Sequence, residues 1–158
     1  MIQIEARLEG AKELERRLLA LERKTARKIV RSAVTAGANI ILRQAKANAT
    51  SMVGGNMGRI MKAALQSRAA RKQKRGSYRR IIQFKADPAL KHRTKEGKEH
   101  YIPFAIEYGH AAPGDAGGAK IVSPIPFLRS AFDQVRRKVE QIVEEKIKAG
   151  IERVARGG

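Results

Sequence analysis

Between about residues 126 and 154 an apolar side chain recurs every three or four positions: Leu128, Phe132, Val135, Val139, Ile142, Val143, Ile147, Ile151 and Val154. This period places all of them on one stripe of an α-helix. At 1.5 Å per residue such a helix is roughly 40 Å long. Gly150 lies near its end and costs of order 1 kcal/mol of helicity. The whole chain has 158 residues, enough for one ordinary domain with one modest core. A helix of that length must therefore cover a sheet or pack against other helices. Aromatic residues make up 4% of the chain and Trp is absent. The core has to be built from Leu, Ile, Val and Ala, which suits helix packing better than a large β-sandwich.

The N-terminal part supplies packing partners. Ile2, Ile4, Ala6 and Leu8 alternate with Gln3, Glu5 and Arg7, the period of a short half-buried strand, and Gly10 ends it. From Ala11 the period turns helical. Leu14, Leu18 and Leu21 form one stripe, and Ile29, Ala33, Gly37, Ile40 and Ile41 form another. Thr25 has the side chain of an N-cap for the second; two helices or one kinked helix both satisfy the pattern. Ala33, Ala36, Gly37 and Ala38 permit close approach by a neighbour, and the helix should stop near Ala49.

Residues 50–59, TSMVGGNMGR, hold three glycines and read as a loop. Helical character is weak from Ile60 onward. Residues 68–80 are a basic run with no apolar face and read as an exposed, mobile arm, so that 50–80 as a whole is loop and arm. Residues 78–86 read as a strand with Ile82 and Phe84 on one side, ended by Asp87 and Pro88. Residues 88–100 are polar and read as a loop. Residues 101–108 read as an apolar strand, marked by Pro103 as an edge or a bulge and closed by Gly109. Residues 110–123 read as a flexible loop, after which Pro124 and Pro126 brace an extended entry into the last helix. The sum is an α+β fold in a single domain, 1–158. A small antiparallel sheet packs against two N-terminal helices and one long C-terminal helix, with flexible basic and glycine-rich loops.

The formal net charge is +19, and it is unevenly spread. Residues 23–86 hold 17 Lys or Arg and no Asp or Glu, while the remainder sets 17 basic residues against all 15 acids. An acid-free block of that length calls for a polyanion, or an acidic protein face, to offset its self-repulsion. Phosphate contacts from Arg68, Arg71, Lys72, Lys74, Arg75, Arg79 and Arg80 would give a sequence-independent, salt-sensitive grip on double-stranded DNA. The bland alternative is a solvated basic surface that keeps the protein in solution.

Little in the chain suggests chemistry. With no Cys there is no disulfide and no thiolate metal site. His92, His100 and His110 lack HExxH or any comparable spacing, so neither a metal nor another cofactor is expected. GGNMGR resembles a phosphate-cradling loop, but the Lys-Ser/Thr that completes one is missing and no strand precedes it. No Ser stands in a G-x-S-x-G context. Glu107, the one acid in an apolar segment, has the makings of a general base; such a residue more often pairs with a cation, and Arg129 is the candidate. A catalytic site needs several convergent groups, and the expectation is that this chain is not an enzyme. No zinc-finger, RRM or homeodomain pattern is present, and the basic run lacks interleaved aromatics for base stacking. Tyr101, Phe104, Tyr108, Phe127 and Phe132 read mostly as core. No apolar run approaches the roughly 20 residues that span a bilayer, and MIQIEARLEG is not a signal peptide. No membrane association is expected, and cytosolic synthesis is the simplest reading.

Five stretches, taken in order, resemble one known family. Residues 8–21 form an early leucine-rich helix, and residues 26–49 form a second rich in Ala, Arg and Ile. Asn56-Met57-Gly58-Arg59-Ile60 stands where that family has a D-T-G-x-L-like turn. Residues 101–109, YIPFAIEYG, stand for Y-A-x-x-x-E-x-G with Pro103 intruding. Residues 124–132, PIPFLRSAF, stand for P-x-P-F-L-R-P-A-F with Ser130 in place of Pro. In this the chain resembles the small minor-tail family typified by the gene-ten product of HK-type lambdoid phages, called neck, tail-completion or head–tail joining proteins. The resemblance implies a structural virion subunit without chemistry, made in the host cytoplasm. It implies a homo-oligomeric ring, commonly sixfold, at the top of the tail, joining tail to head connector and surrounding the DNA path. Its partners would be neighbouring neck, connector and tail proteins. Tyr101, Phe104, Glu107, Tyr108, Gly109, Pro126, Phe127, Leu128 and Arg129 would then be scaffold or subunit-interface residues. The alternative is a free-standing, sequence-independent nucleic-acid-binding protein.

Overall fold

A computed structural model describes residues 12–71, 77–113 and 119–157. The strand expected at residues 2–8, the basic stretch 72–76 and the glycine-rich stretch 114–118 lie outside the described residues. The chain runs through α1 (Lys12–Leu19), α2 (Arg23–Asn48), a π-helical turn (Ala49–Val53), α3 (Gly55–Ala64), β1 (Leu65–Ala69) and β2 (Arg80–Phe84). It continues through a 3-10 turn (Pro88–Leu90), β3 (Lys91–Arg93), β4 (Glu99–Tyr101), α4 (Ile102–Tyr108), β5 (His110–Pro113), β6 (Ala119–Val122) and α5 (Phe127–Ala155). The fold is α+β and mostly helical. Among the described residues the strands form three small two-stranded sheets, β1–β2, β3–β4 and β5–β6, where one small sheet was expected.

Two compact units divide the described residues. One comprises the described residues within 42–66 and 83–134; the other comprises those within 12–41, 67–82 and 135–157. The second unit holds the helical core that the periodicity predicts. Leu14 of α1, Ile29, Ala33 and Ile40 of α2, and Val135, Val139, Val143, Ile147 and Ile151 of α5 are buried together. Each aliphatic side chain so buried is worth about 1.5–3 kcal/mol. Small residues let α2 and α5 close: a Cβ on Gly37 would stand 2.9 Å from Val143 Cγ2. The N-terminal pattern resolves as two helices. The Glu22 carbonyl accepts from Ala26 N at 3.0 Å, so Thr25 lies inside the first turn of α2 and is not its cap.

Several stretches expected as loops are ordered, each for a local reason. Residues 50–59 are a π-helical turn running into α3. Gly54 makes the junction at φ 69°, and Gly58 is buried where a Cβ would collide with the Ala49 carbonyl oxygen. These glycines serve close packing, not looseness. The ends of the basic run are strand residues: Ala70 N donates to Arg79 O at 3.0 Å and Lys85 N to Ala64 O at 2.8 Å, an antiparallel register. Residues 88–100 carry the β3–β4 hairpin, with His92 opposite His100 and Arg93 opposite Glu99. Both of its strands are exposed along their length, so no buried face imprints an alternation on the sequence. Residues 110–123, expected as a flexible loop, begin and end in paired strands, with His110 opposite Val122 and Ala111 opposite Ile121.

The apolar segment 101–108 is a helix, not a strand. Only Tyr101 stays in β4, and residues 102–108 form α4. Pro103 sits in the first turn, where its missing N–H costs nothing. The residues it buries are Pro103 and Glu107, four apart on one helical face. From the Gly58 geometry, Gly58→Ala should destabilise the fold by about 1–3 kcal/mol, the usual cost of overpacking. Urea unfolding of the two proteins measures it, and an unchanged midpoint would refute the close approach.

Candidate functional site

The start of α5 lacks the ordinary means of capping. Pro124 and Pro126 precede it and no acid occupies its first turn, yet its first N–H groups need acceptors. Glu107 supplies them from the last turn of α4. Its Oε2 accepts from Leu128 N at 2.9 Å and its Oε1 from Arg129 N at 3.0 Å. Glu107 is 1% exposed. Two orphan amides at the start of the helix thereby find their acceptors on one side chain. The main chain joins the same two segments, Ile125 N donating to Ile106 O at 2.7 Å. The expected Glu107–Arg129 ion pair is replaced by this amide contact. The Arg129 guanidinium is instead 5.6 Å from the centroid of the Tyr108 ring.

A second group of contacts holds the other side of the same helix start. Asn48, the last residue of α2 and buried, donates its Nδ2 to Phe127 O at 3.1 Å. It accepts from Gln44 Nε2 at 3.0 Å, and that nitrogen also donates to Gln134 Oε1 at 2.8 Å. The Phe127 ring is fully buried, and Phe84 meets it and Tyr101 edge-on, each pair of centroids 6.2 Å apart. Asn48, Gln44 and Gln134 escape sequence reading. The one signal is a pair of polar residues spaced four apart at the end of an otherwise small-residue helix.

The aromatics divide against expectation. Phe127 is core and Phe132 is half-buried, but Tyr101, Phe104 and Tyr108 are 43%, 51% and 46% exposed. Helix formation at 102–108 explains this, since the face carrying Pro103 and Glu107 turns inward and leaves Phe104 and Tyr108 outside. Those two rings lie 4.7 Å apart. His100, Tyr101, Phe104, Ala105, Gly109 and His110 line a shallow depression of about 330 Å³. On β6, Ile121 and Val122 are also exposed. A grouped apolar surface of this kind marks an interaction site more often than single exposed residues do.

The basic residues are not equivalent. Arg80 is a clamp within the β1–β2 hairpin: Nε donates to Ser67 Oγ at 2.9 Å, Nη2 to Ser67 O at 2.8 Å and Nη1 to Tyr78 Oη at 3.4 Å. Arg68 lies in β1 with its Nε buried and without a hydrogen-bond partner. Arg71 and Arg79 are exposed, and Lys72, Lys74 and Arg75 lie outside the described residues. Arg31 of α2 stands 5.9 Å from the Tyr78 ring centroid. Burial raises the Tyr78 pKa, but hydrogen bonds with Arg80, Thr35 and Arg31 and the charge of Arg80 outweigh it and bring the phenol below 10.0. Burial pushes Tyr101 the other way. Further exposed cations stud α2 and α3, among them Arg23, Lys24, Arg27, Lys28, Arg43, Arg59 and Lys62. Ion pairs such as Lys91–Glu99, Arg136–Glu140 and Lys148–Glu144 fall outside this acid-free block.

Residues 12–105 match the HK97-gp10-like family, described as "Bacteriophage HK97-gp10, putative tail-component". The chain belongs to this family. It is thus a structural tail component of a bacteriophage, a virion protein whose partners are other phage proteins. The matched region of this tail component runs from α1 into α4, through the acid-free block and the Gly58 junction. Glu107 and residues 124–132 lie beyond the matched region. No curated protein and no solved structure matches the chain. Among the described residues, no group of three or more His, Cys, Asp or Glu is placed to hold a metal ion, and no helix is long and apolar enough to cross a membrane.

Glu107→Ala leaves the buried Leu128 amide and the part-buried Arg129 amide without their acceptor and should cost about 1–3 kcal/mol in urea unfolding. Arg129→Ala keeps its amide and removes a surface cation–π interaction, costing less than about 1 kcal/mol. The order of the two effects checks the clamp; a larger effect for Arg129 would restore the ion-pair reading. Alkaline titration followed by phenolate absorbance should ionise Tyr78 before Tyr101. Tyr78→Phe removes the early step and Tyr101→Phe the late one. Because the folded-state pKa of Tyr78 is depressed, its contribution to stability is present above the unfolded value near 10 and lost as pH falls through the folded value.

Proposed function

We propose that this tail component is a non-catalytic subunit of a ring at the head–tail junction, commonly sixfold in such proteins, that joins the tail to the head connector and surrounds the path of the DNA. The observation that carries the reading is the acid-free block of 23–86. A tail component with 17 cations and no acid in that stretch needs a polyanion or an acidic neighbour, and packaged duplex DNA passing through a lumen is such a polyanion. The exposed cations of α2 and α3, the β1–β2 hairpin and the aromatic face of α4 supply surface for DNA and for protein neighbours. A second reading rests on the same block: a small, free-standing protein that binds duplex DNA through phosphates alone.

Size-exclusion chromatography with light scattering, at several salt concentrations, together with electron microscopy, separates the two. The ring reading expects a large homo-oligomer with a central opening, and the protein in purified virions. A chain that stays monomeric at every salt concentration, shifts duplex DNA and never enters virions would sink it. Replacing Arg71, Lys72, Lys74 and Arg75 together by Gln tests the basic stretch. If these residues meet phosphates, the salt dependence of duplex binding should flatten by about 0.9 in log–log slope for each phosphate no longer neutralised. An unchanged slope would assign the stretch to a protein face.

A further inference from the structure

We infer that the outward face of the first half of α2, which carries Arg23, Lys24, Arg27, Lys28 and Arg31, grips duplex DNA through its phosphates. The inference rests on the DNA reading of the acid-free block, which the ring and the free-standing protein share. All five cations are exposed. Their spacing at positions 23, 27 and 31 and at 24 and 28 puts them on one arc, opposite the core-facing Ile29, Ala33 and Ile40. From Arg23 to Arg31 the arc is about 12 Å long. Arg23, Lys24, Arg27 and Lys28 make no ion pair among the described residues. Arg31 stands 5.9 Å from the Tyr78 ring centroid, and Arg80 donates to the same phenol. This contact joins the arc to the β1–β2 hairpin, whose flanking Arg71 and Arg79 are exposed.

The placement is unfavourable for the helix itself. Arg23 and Lys24 open α2, where the helix dipole opposes cations, and no acid stands in the first turn. Like charges four apart repel along the arc. The other long helix shows the ordinary arrangement: α5 interleaves acids with its cations and pairs Arg136 with Glu140, Lys148 with Glu144 and Arg156 with Glu152. Nor do the neighbouring elements neutralise the arc. A Cβ on Gly150 would meet Ile29, so the last turns of α5 lie beside it, and there Glu144, Glu145 and Glu152 are outnumbered by Lys146, Lys148, Arg153 and Arg156. Helix α1 and the turn after it set Glu13, Glu15 and Glu22 against Lys12, Arg16 and Arg17. An unpaired, self-repelling stripe of this kind is relieved by a polyanion. Its composition favours phosphate over an acidic protein. Between 23 and 32 the exposed residues are the five cations and Ser32, with none of the apolar or aromatic anchors that centre a protein interface. Phosphate contacts need no anchor, and a duplex offers one charge per roughly 1.7 Å of axis.

The test measures binding of the full-length protein to a mixed-sequence duplex oligonucleotide between about 50 and 200 mM salt. One variant combines Arg23→Gln, Lys24→Gln, Arg27→Gln and Lys28→Gln; Arg31 is kept so that its contact with Tyr78 remains. A control removes the same charge from exposed positions of α5, with Arg137→Gln, Lys138→Gln, Lys146→Gln and Arg153→Gln. If each α2 cation neutralises one phosphate, the log–log salt slope should flatten by about 3.6, so that across this range wild type loses about 10²-fold more affinity than the variant. The α5 control should flatten by less than about 1. Without DNA the α2 variant should melt no lower than wild type, since it loses only repulsive contacts. A clearly lower melting temperature would show the arc engaged within the fold and overturn the inference. Equal flattening in both variants would reduce the effect to net charge and overturn it too. An unchanged slope in the α2 variant also overturns it, and if that variant is then missing from purified virions the arc belongs to an acidic protein neighbour. A wild-type chain that is monomeric by light scattering, yet loses its slope in the α2 variant, removes the ring and keeps this surface. A wild type that binds no duplex removes the DNA reading, and this inference with it.

Discussion

The carboxylate of Glu107 is the interaction on which the first unit depends. It answers a need that the sequence of α5 creates, a long helix entered through two prolines with no capping side chain of its own. By accepting from Leu128 N and Arg129 N it ends α4 and begins α5 with one group. The same anchoring sets the direction of the α4 helix, and with it which residues are hidden. Pro103 and Glu107 go inward; Phe104 and Tyr108 are left at the surface with Arg129 beside them. A structural bond thereby decides where the chain's apolar contact surface lies.

The parts of the fold legible in the sequence are those in which burial is periodic and one-sided. The stripe of α5 and the small-residue face of α2 read correctly because their side chains share one core. The segment 101–108 misreads because six of its eight residues are apolar or aromatic, and a short apolar run carries no reliable period. Its proline is the informative residue, compatible with a strand edge and equally with a first helical turn. The glycines at 54 and 58 misread for a related reason. Composition reports freedom, whereas here Gly58 reports the nearness of the Ala49 carbonyl. The hairpin at 91–101 leaves no trace because neither of its strands is buried.

Of the candidate site residues, those of the YIPFAIEYG and PIPFLRSAF segments do come together, through Ile106 and Ile125 as well as through Glu107. The basic residues divide by geometry that no charge count contains. Arg80 is spent on Ser67 and Tyr78. The exposed cations of α2, which the density of charge over residues 68–80 does not single out, stand on a rigid helix. Cations on a rigid element lose less conformational entropy on meeting a polyanion than cations on a loose one.

The Glu107 clamp acts through main-chain nitrogens, and this determines how it can vary over evolutionary time. Every residue type except proline offers the same N–H at positions 128 and 129, so the side chains there can drift without touching the bond. Loss of the carboxylate, conversely, has no remedy by substitution at its partners. The clamp therefore writes no pairwise covariation into related sequences. It would appear in them only as a solitary invariant acid, far along the chain from the helix it serves.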